Sequence, residues 1–391
     1  LSPVVRGIRN SMANFKRDAI KGFGLQAGFN MFNFFARGVG AVGDAIGDAV
    51  GAATKFEDQL RTINTVAKLS DEDLASIGDS LQALARETGK TTTDLADGFY
   101  DIVSAGISAD KAMGVLRDSA ILGTGALGST AEVVDLLTST LNSYGLEAKD
   151  STRLTDIFAQ AVADGKVKAS ELGKTIAMIA PMAASAGIAI EEVAAAYALM
   201  TAKGVPASEV ATQMSAAIRA LIIPNADLAA IQERVNINFA EMAAEQGLVP
   251  ALDAIRKATE GDNREFGRAL GRIEGYRFAI ATTGGEAADF AAELLKIEAC
   301  ADKGGVALGQ YTEKTKSLAE KQKRFNAAIE TLGQDLGAMI LGPAADFTEW
   351  LTDLIPVLDK LTPKMQGVID KISGIHDAAS EDGGAGEWLG T

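Results

Sequence analysis

Two stretches of the sequence end in the Gly-Lys-Thr triplet that closes a phosphate-binding loop, "ARETGKTTTD" and "KASELGKTIAM". Such a loop also needs another glycine five positions before the glycine of the triplet, so that successive backbone N–H groups can surround a phosphate. Leu84 and Lys168 occupy those positions, and neither stretch follows a predicted strand. We therefore expect no nucleotide site in either stretch.

A third run, "NREFGRALGRIEGYRF", spaces Arg264, Arg268 and Arg272 four residues apart, which would place them on one helix face. Three arginines on one face could bind an anion or a phosphate. The stronger interpretation is a set of surface ion pairs with the nearby acids Glu260, Glu265 and Glu274.

Other residues capable of chemistry are few or badly spaced. Glu191 and Glu192 are adjacent on a predicted helix and point about 100° apart, so they cannot work as paired carboxylates, and capping is the expected role. The chain has one cysteine, Cys300, and one histidine, His376. A His/Cys metal cluster or a nucleophile-histidine site is therefore excluded. We predict no catalytic residue, no metal and no cofactor.

The overall composition favours a folded helical protein. Of the 391 residues, 47% are hydrophobic, which is enough to bury sizeable cores. Abundant Ala and Gly favour helices that pack closely through small side chains. The formal charge of -15 argues against specific nucleic-acid binding, because phosphates are held by Lys and Arg. Residues 1–37 alone are basic, with six Lys or Arg against one Asp, a net +5 that leaves -20 for the rest.

Helix faces and helix starts can be placed from spacing. Apolar residues recur at intervals of three and four, first at Phe56, Leu60, Ile63 and Val66, and then at Leu74, Ile77, Leu81 and Leu84. Ser70 with Asp73, and Ser129 with Glu132, have the capping-box spacing that marks a helix start. Each of these helices is predicted to bury one face.

Four similar segments, "SAGISADKA", "SYGLEAKDS", "SAGIAIEEV" and "AKGVPASEV", place a glycine and an apolar residue before an acid. We expect each glycine to end a helix in the left-handed conformation, with the next residue folding back onto the last turn. The pairs are Gly106 with Ile107, Gly145 with Leu146, Gly187 with Ile188, and Gly204 with Val205. Residues 55–300 are therefore predicted to form an all-α, compact array of helical hairpins.

The segment "GFGLQAGFNMFNFFARGVGAVGDAIGDAVGAA", residues 22–53, joins an apolar run to glycines at every fourth position. Its candidate helix-packing or membrane-active residues are Phe29, Phe32, Phe34, Phe35, Gly43, Gly47 and Gly51. Glycine at this spacing lets helix backbones approach closely, in membranes and in tight soluble bundles alike. The apolar run is shorter than the ~20 residues that span a bilayer. We favour a packed helix in a homo-oligomer over a permanent transmembrane helix, with membrane activity after release as an alternative.

The predicted domains follow from these patterns. Residues 1–54 form a basic and then glycine-rich helical segment, and residues 55–300 form the helical array. Residues 301–375 form amphipathic helices with breaks at Pro356 and Pro363, and residues 376–391 a flexible, acidic tail. The array is thus flanked by long amphipathic, partly membrane-like helices. The first residue, Leu1, and the ending "EDGGAGEWLGT" suggest an excerpt of a longer chain.

The order and spacing of these segments resemble the core region of phage tail tape-measure proteins over roughly residues 50–300. The resemblance begins at "FEDQLRTINTVAKLSDEDLASIGDSLQALARETGKTTTDLADGFYDIVSAGISADKA" and continues through Tyr144-Gly145-Leu146, Ala180-Pro181, and Gly187 with its following helix. The segment "TEKTKSLAEKQKRFNAAIETLGQDLGAMILGPAADFTEW" is similar to the helices that often follow this region. The peptidase and lysozyme-like modules of some family members are not recognisable.

The resemblance implies a structural, non-enzymatic protein that sets tail tube length during assembly, takes part in genome ejection and can insert into the host membrane. Its implied partners are tail tube and tail tip proteins (distal tail and baseplate hub), tail assembly chaperones, and further copies of itself, with a trimer expected. Its implied location is the tail tube lumen and tail tip of the virion, and the host envelope after ejection. Without the resemblance, the residues would also suit a soluble helical adaptor or a pore-forming secreted effector.

Overall fold

The computed structural model describes residues 39–126 and 128–341, and within these ranges all regular structure is helical, with no strand. The all-α prediction is confirmed. The helices are α1 (Val39–Ala67), α2 (Asp71–Thr88), α3 (Thr92–Ser104), α4 (Ala109–Gly125), α5 (Thr130–Tyr144), α6 (Ser151–Asp164), α7 (Ala169–Ser185), α8 (Ile190–Ala202), α9 (Ala207–Ile222), α10 (Ala226–Val235), α11 (Phe239–Gln246), α12 (Leu248–Ala258), α13 (Asn263–Leu270), α14 (Ile273–Thr282), α15 (Ala287–Lys303), α16 (Val306–Lys314) and α17 (Leu318–Leu341). Short 3₁₀ turns, Ala148–Asp150 and Gly284–Glu286, precede α6 and α15.

Two compact units can be distinguished. The larger one comprises Lys55–Thr331 and is called the helical bundle below. The other described residues, 39–54 and 332–341, belong to the second unit.

Local capping starts many of the helices as the sequence predicts. The Ser70 hydroxyl accepts a hydrogen bond from the Asp73 N–H at 3.2 Å and so caps α2. At α5, Ser129 and Glu132 form the complete reciprocal capping box. Both predicted starts are confirmed, and side-chain oxygens of Thr91, Asn225, Asn238 and Asp262 cap four further helices in the same way. Each cap satisfies backbone N–H groups that a helix start leaves without an intrahelical partner.

The four predicted link glycines, Gly106, Gly145, Gly187 and Gly204, all have positive φ, between 62° and 94°. In each link the apolar residue after the glycine donates its N–H to a carbonyl five positions earlier, for example from Leu146 to Leu141 at 2.9 Å. This is the hydrogen bond of the Schellman motif, which ends a helix and returns the chain towards the core. The predicted helix ends are therefore confirmed.

The bundle core lies around α8, in which every residue from Ile190 to Thr201 is buried. The two most extensive packings join helices that are not sequence neighbours, α5 with α7 and α9 with α14, and α8 likewise packs against the distant α15. Small residues allow these close approaches. A Cβ at Gly173 on α7 would lie 3.0 Å from the Glu132 carbonyl oxygen, and one at Gly275 on α14 would lie 3.2 Å from the backbone of α9. The links fix local turns, whereas the buried faces decide which helices meet.

The two longest described helices are α1, with 29 residues, and α17, with 24. No single helix within the described ranges has the length and hydropathy to cross a membrane, although α9 and α10, bent by 60° between them, pass the same test as a pair. The predicted break prolines, Pro356 and Pro363, lie outside the described residues, as does His376.

Candidate functional site

Both Gly-Lys-Thr triplets are part of helical packing. Gly89 follows α2 with φ 72° and donates its N–H to the Ala85 carbonyl at 2.8 Å, and Thr91 caps α3. The second triplet, residues 173–175, lies inside α7. The amides of a phosphate-binding loop would have to point at the ligand, whereas the Gly89 amide is bonded to the protein's own carbonyl.

The prediction that Arg264, Arg268 and Arg272 share one helix face is wrong. Helix α13 ends at Leu270, the next residue is a glycine with φ 69°, and Arg272 lies at the start of α14. The predicted ion pairs also differ, because Glu265 contacts Arg234 of α10 at 3.0 Å. Because Gly271 ends the helix within this run, Arg272 does not continue the helix face of Arg264 and Arg268.

Glu192 is 4% exposed and lies on α8, yet it caps a different helix. Its two carboxylate oxygens accept the backbone N–H groups of Leu248 and Val249, each at 2.9 Å, at the start of α12. Burial raises the pKa of this carboxyl, while the two N–H donors act to lower it. The capping role predicted for this glutamate is correct in kind, but the helix that it caps is 56 residues further along the chain.

The neighbouring Glu191 is also buried and forms an ion pair with Arg153 on α6. Tyr144, at the end of α5, has a buried hydroxyl without a hydrogen-bond partner. Burial, with a smaller contribution from the Glu192 charge, raises the pKa of that phenol. These groups give the α5–α6–α8 region a buried polar layer.

Asp156 on α6 repeats the arrangement of Glu192. Its carboxylate is buried and accepts the N–H groups of Gly305 and Ala307, at 2.9 and 2.8 Å, at the start of α16. The backbone carbonyl of Asp156 accepts the thiol of Cys300 at 3.0 Å. Burial raises the pKa of this thiol to about 11.

Asp118 on α4 is a third buried carboxylate of this kind. It accepts the hydroxyl groups of Ser151 and Thr152, at 2.6 and 2.9 Å, where α6 begins. Glu330 on α17 accepts both the N–H and the hydroxyl of Thr92, at 3.2 and 2.6 Å, where α3 begins. Carboxylates thus tie helix starts to helices that are distant in sequence.

Sequence spacing does not reveal these remote caps, although one signal is present. Helices α12 and α16 begin directly after Gly247 and Gly305, which have no side chain to cap the free N–H groups. A helix start behind a glycine therefore needs an acceptor from elsewhere in the fold. Which acid supplies it cannot be read from sequence spacing, since Glu192 and Asp156 are 56 and 151 residues away from the amides that they accept.

The predicted packing glycines, Gly43, Gly47 and Gly51, all lie on α1. A Cβ at Gly51 would meet no atom of the described residues within 4 Å, so packing against these residues does not require glycine there. Phe29, Phe32, Phe34 and Phe35 lie outside the described residues. The use of these seven residues stays a prediction.

A groove of about 610 Å³ lies at one end of the bundle, where the end of α1 and helix α2 meet the link between α3 and α4. Its lining combines the apolar Ile77, Val103 and Ile107 with the acidic Asp73 and Asp110. In the described part of the chain, no group of three or more His, Cys, Asp or Glu is placed to hold a metal ion.

The chain is similar to known proteins of phage tails. Residues 78–374 match a family model described as "Phage-related minor tail protein". The chain is 23% identical over 341 residues to a tape measure protein of Pneumococcus phage Dp-1, covering 82% of this chain and 29% of that protein. It is 24% identical over 339 residues to a probable tape measure protein of Clostridium phage phiCD119, covering 82% of this chain and 35% of that protein.

A probable tape measure protein of Burkholderia phage BcepMu is 28% identical over 192 residues, which are 49% of this chain and 21% of that protein. The matched region therefore spans about a third or less of the length of these relatives. No solved structure matches the chain significantly.

Proposed function

Because the chain belongs to the phage-related minor tail protein family, whose members are structural components of phage tails, we propose that it acts as a tape-measure protein. In this role it sets the length of the tail tube during assembly and takes part in genome ejection, and it does so without catalysis. The observation that carries the proposal is the match over residues 78–374, supported by the relatives that are named tape measure proteins.

We assign the helical bundle a role other than that of the ruler. An α-helix advances about 1.5 Å per residue, so a ruler needs long continuous helix. The longest described helix has 29 residues, which corresponds to about 44 Å, and most others are less than two thirds as long. We assign length measurement to the portion of tape measure proteins that this chain does not cover, and the bundle to an end of the tail, the tip.

The partners follow from this placement. Tail tube and tail tip proteins, among them distal tail and baseplate hub proteins, would contact the bundle, and tail assembly chaperones would hold it before assembly. The net charge of -15 keeps the protein from binding the DNA that later passes through the lumen. Further copies of the chain would meet through the glycine face of α1, where the open space at Gly51 leaves room for a neighbouring helix.

Membrane insertion on ejection is assigned to residues 22–53, whose basic neighbour at residues 6–21 would be attracted to anionic lipid. This places the protein in the virion before infection and in the host envelope afterwards.

The length-setting function can be tested by in-frame deletion. In a phage that carries this gene, a deletion in the portion outside the matched region should shorten the tail in proportion to the residues removed, about 1.5 Å for each. Tail lengths are measured by electron microscopy. Tails of unchanged length would overturn the ruler function.

A further inference from the structure

The N-terminal part of helix α17, residues 318–331, lies across the link between α2 and α3. A Cβ at Gly89 in this link would be 2.9 Å from the backbone nitrogen of Arg324, so the two backbones are in direct contact. Three residues further on, Thr92 donates its N–H and its hydroxyl to the Glu330 carboxylate. The first Gly-Lys-Thr triplet, which resembles the end of a phosphate-binding loop, thus belongs to the surface against which helix α17 packs.

A second set of polar contacts fixes the same helix from the other side of the link. The Tyr311 hydroxyl donates to the Glu87 carbonyl at 2.9 Å and accepts from the Arg324 guanidinium at 2.8 Å. The Arg324 guanidinium also lies over the Tyr311 ring, 5.6 Å from its centroid. Lys323, beside it, pairs within α17 with Glu320 at 2.8 Å.

Residues 318–331 contribute little to the apolar core. Within this stretch Ala327 is the one apolar side chain that is buried, whereas Leu318 is 76% exposed and Ile329 is 42% exposed. By contrast, every residue of α8 from Ile190 to Thr201 is buried. Elements with few buried apolar contacts open at a lower free energy than the core around them.

We propose that residues 318–331 form a strap that opens as a unit while the bundle beneath it stays folded. The strap is held at the α2–α3 link by the hydrogen bonds of Thr92 and Tyr311 and by the close contact at Gly89. Its opening frees the Thr92 amide together with the amides of the strap. Opening of the strap therefore releases residues 318–331 from the bundle without loss of the core. The proposal does not depend on the tape-measure function, because it concerns the order in which the elements open.

Hydrogen–deuterium exchange of the full chain, read by mass spectrometry, tests this order. Peptides covering residues 318–331 and Thr92 should exchange at least tenfold faster than those of α8. The substitution Glu330→Gln replaces a charged hydrogen-bond acceptor with a weaker one. It should therefore speed exchange in the strap and at Thr92 by about a further tenfold, and it should leave exchange in α8 unchanged.

Glu298→Gln is the matched control, since Glu298 is an exposed acid on α15 and the same charge is removed. It should leave the strap and Thr92 unchanged. Gly89→Ala provides an independent variant, because its Cβ would press against Arg324 at a backbone φ of 72°, and it should open the same peptides. Strap protection equal to that of α8 in the wild type, or variants that leave the strap unchanged or loosen α8 together with it, would overturn the proposal.

Discussion

At the scale of residues, the most informative feature is the set of buried carboxylates that cap distant helices. The buried Glu192 and Asp156 each accept two N–H groups from a helix start that is remote in sequence, and the half-buried Glu330 accepts one from Thr92. A buried charge is costly unless hydrogen bonds compensate it, and a buried helix start is costly unless its amides are accepted. Each pairing solves both problems, and it makes the bundle sensitive to single substitutions at these positions.

Removing the Glu192 carboxylate should destabilise the protein strongly. Glu192→Ala leaves the buried amides of Leu248 and Val249 without an acceptor, and we expect the free energy of unfolding to fall by about 2–3 kcal/mol. Urea denaturation of the full chain, followed by circular dichroism, measures this. The control Glu298→Ala removes an exposed acid and should change stability by less than about 0.5 kcal/mol. Equal effects of the two substitutions would contradict the capping role.

Asp118 should make stability depend on pH. Burial raises the pKa of this carboxyl, against the hydrogen bonds from Ser151 and Thr152 and the nearby Arg117, all of which lower it. A native pKa above the unfolded value means that the folded state binds the proton more tightly. The contribution of Asp118 to the free energy of unfolding is therefore present at low pH and is lost as pH rises. The loss begins near the ordinary value of 3.8 and is complete above the native pKa.

The measurement compares the wild type with Asp118→Asn, which keeps the shape of the side chain but does not titrate. The free energy of unfolding of the wild type, relative to this variant, should fall as pH rises above 3.8. Urea denaturation at a series of pH values gives the difference directly. A relative stability that rises with pH would mean that the hydrogen bonds outweigh burial.

At the scale of elements, α1 carries glycines at every fourth position, and the described residues leave the space beside one of them, Gly51, open. Some glycines on helices mark close contacts within the bundle, such as Gly173 beside Glu132, whereas Gly51 and Gly114 have open space. A glycine with open space costs helix stability without serving a contact with the described residues. What favours a contact with another molecule at Gly51 is the recurrence of glycine at every fourth position, at Gly43 and Gly47.

Replacing Gly43, Gly47 and Gly51 together with leucine should block tail assembly, because the added volume prevents close approach, and alanine should be milder. Tail assembly is scored by electron microscopy, and dye release from anionic liposomes is measured on the same variants. Gly114→Leu is the control, since a Cβ at this helical glycine of α4 also meets no atom within 4 Å. If the leucine variant assembles normally and only its liposome activity changes, membrane insertion and not packing is the use of these glycines.

At the scale of the whole molecule, residues 55–331 form a compact bundle around the buried helix α8. Helix α8 packs against both α6 and α15, which are far apart in the sequence. An extended helix that acts as a ruler can lose some of its turns and remain a helix. A bundle that loses its central helix cannot remain folded. The two parts of a tape-measure protein should therefore respond differently to loss of residues.

Deletion of Ile190–Ala202 should abolish folding of the bundle and formation of tails, and should not give shorter tails. The deletion removes a helix that is buried from Ile190 to Thr201 and uncovers the faces of α6 and α15 that pack against it. Circular dichroism of the purified chain and electron microscopy of lysates measure the two effects. Normally folded protein with proportionally shortened tails would show that the bundle itself is the ruler.

The local structure of this protein was determined by its sequence. Spacings of three and four placed Leu74, Leu81 and Leu84 on a buried face, Ser129 marked a helix start, and Gly145 marked a helix end. These signals depend on backbone geometry within a few residues, so neighbouring side chains are sufficient to specify them. The order of these helices was also enough to suggest the family, which the match over residues 78–374 confirmed.

Only the tertiary structure decided which helices meet and which acids hold them. The packing of α5 with α7 and of α9 with α14 depends on the shapes of whole faces, including the bare backbone at Gly275. The pairing of Asp156 with Ala307 joins residues separated by 151 positions, and no local pattern encodes it. A glycine before α16 shows that an acceptor is needed, but the identity of that acceptor depends on the position of α6 in the folded chain.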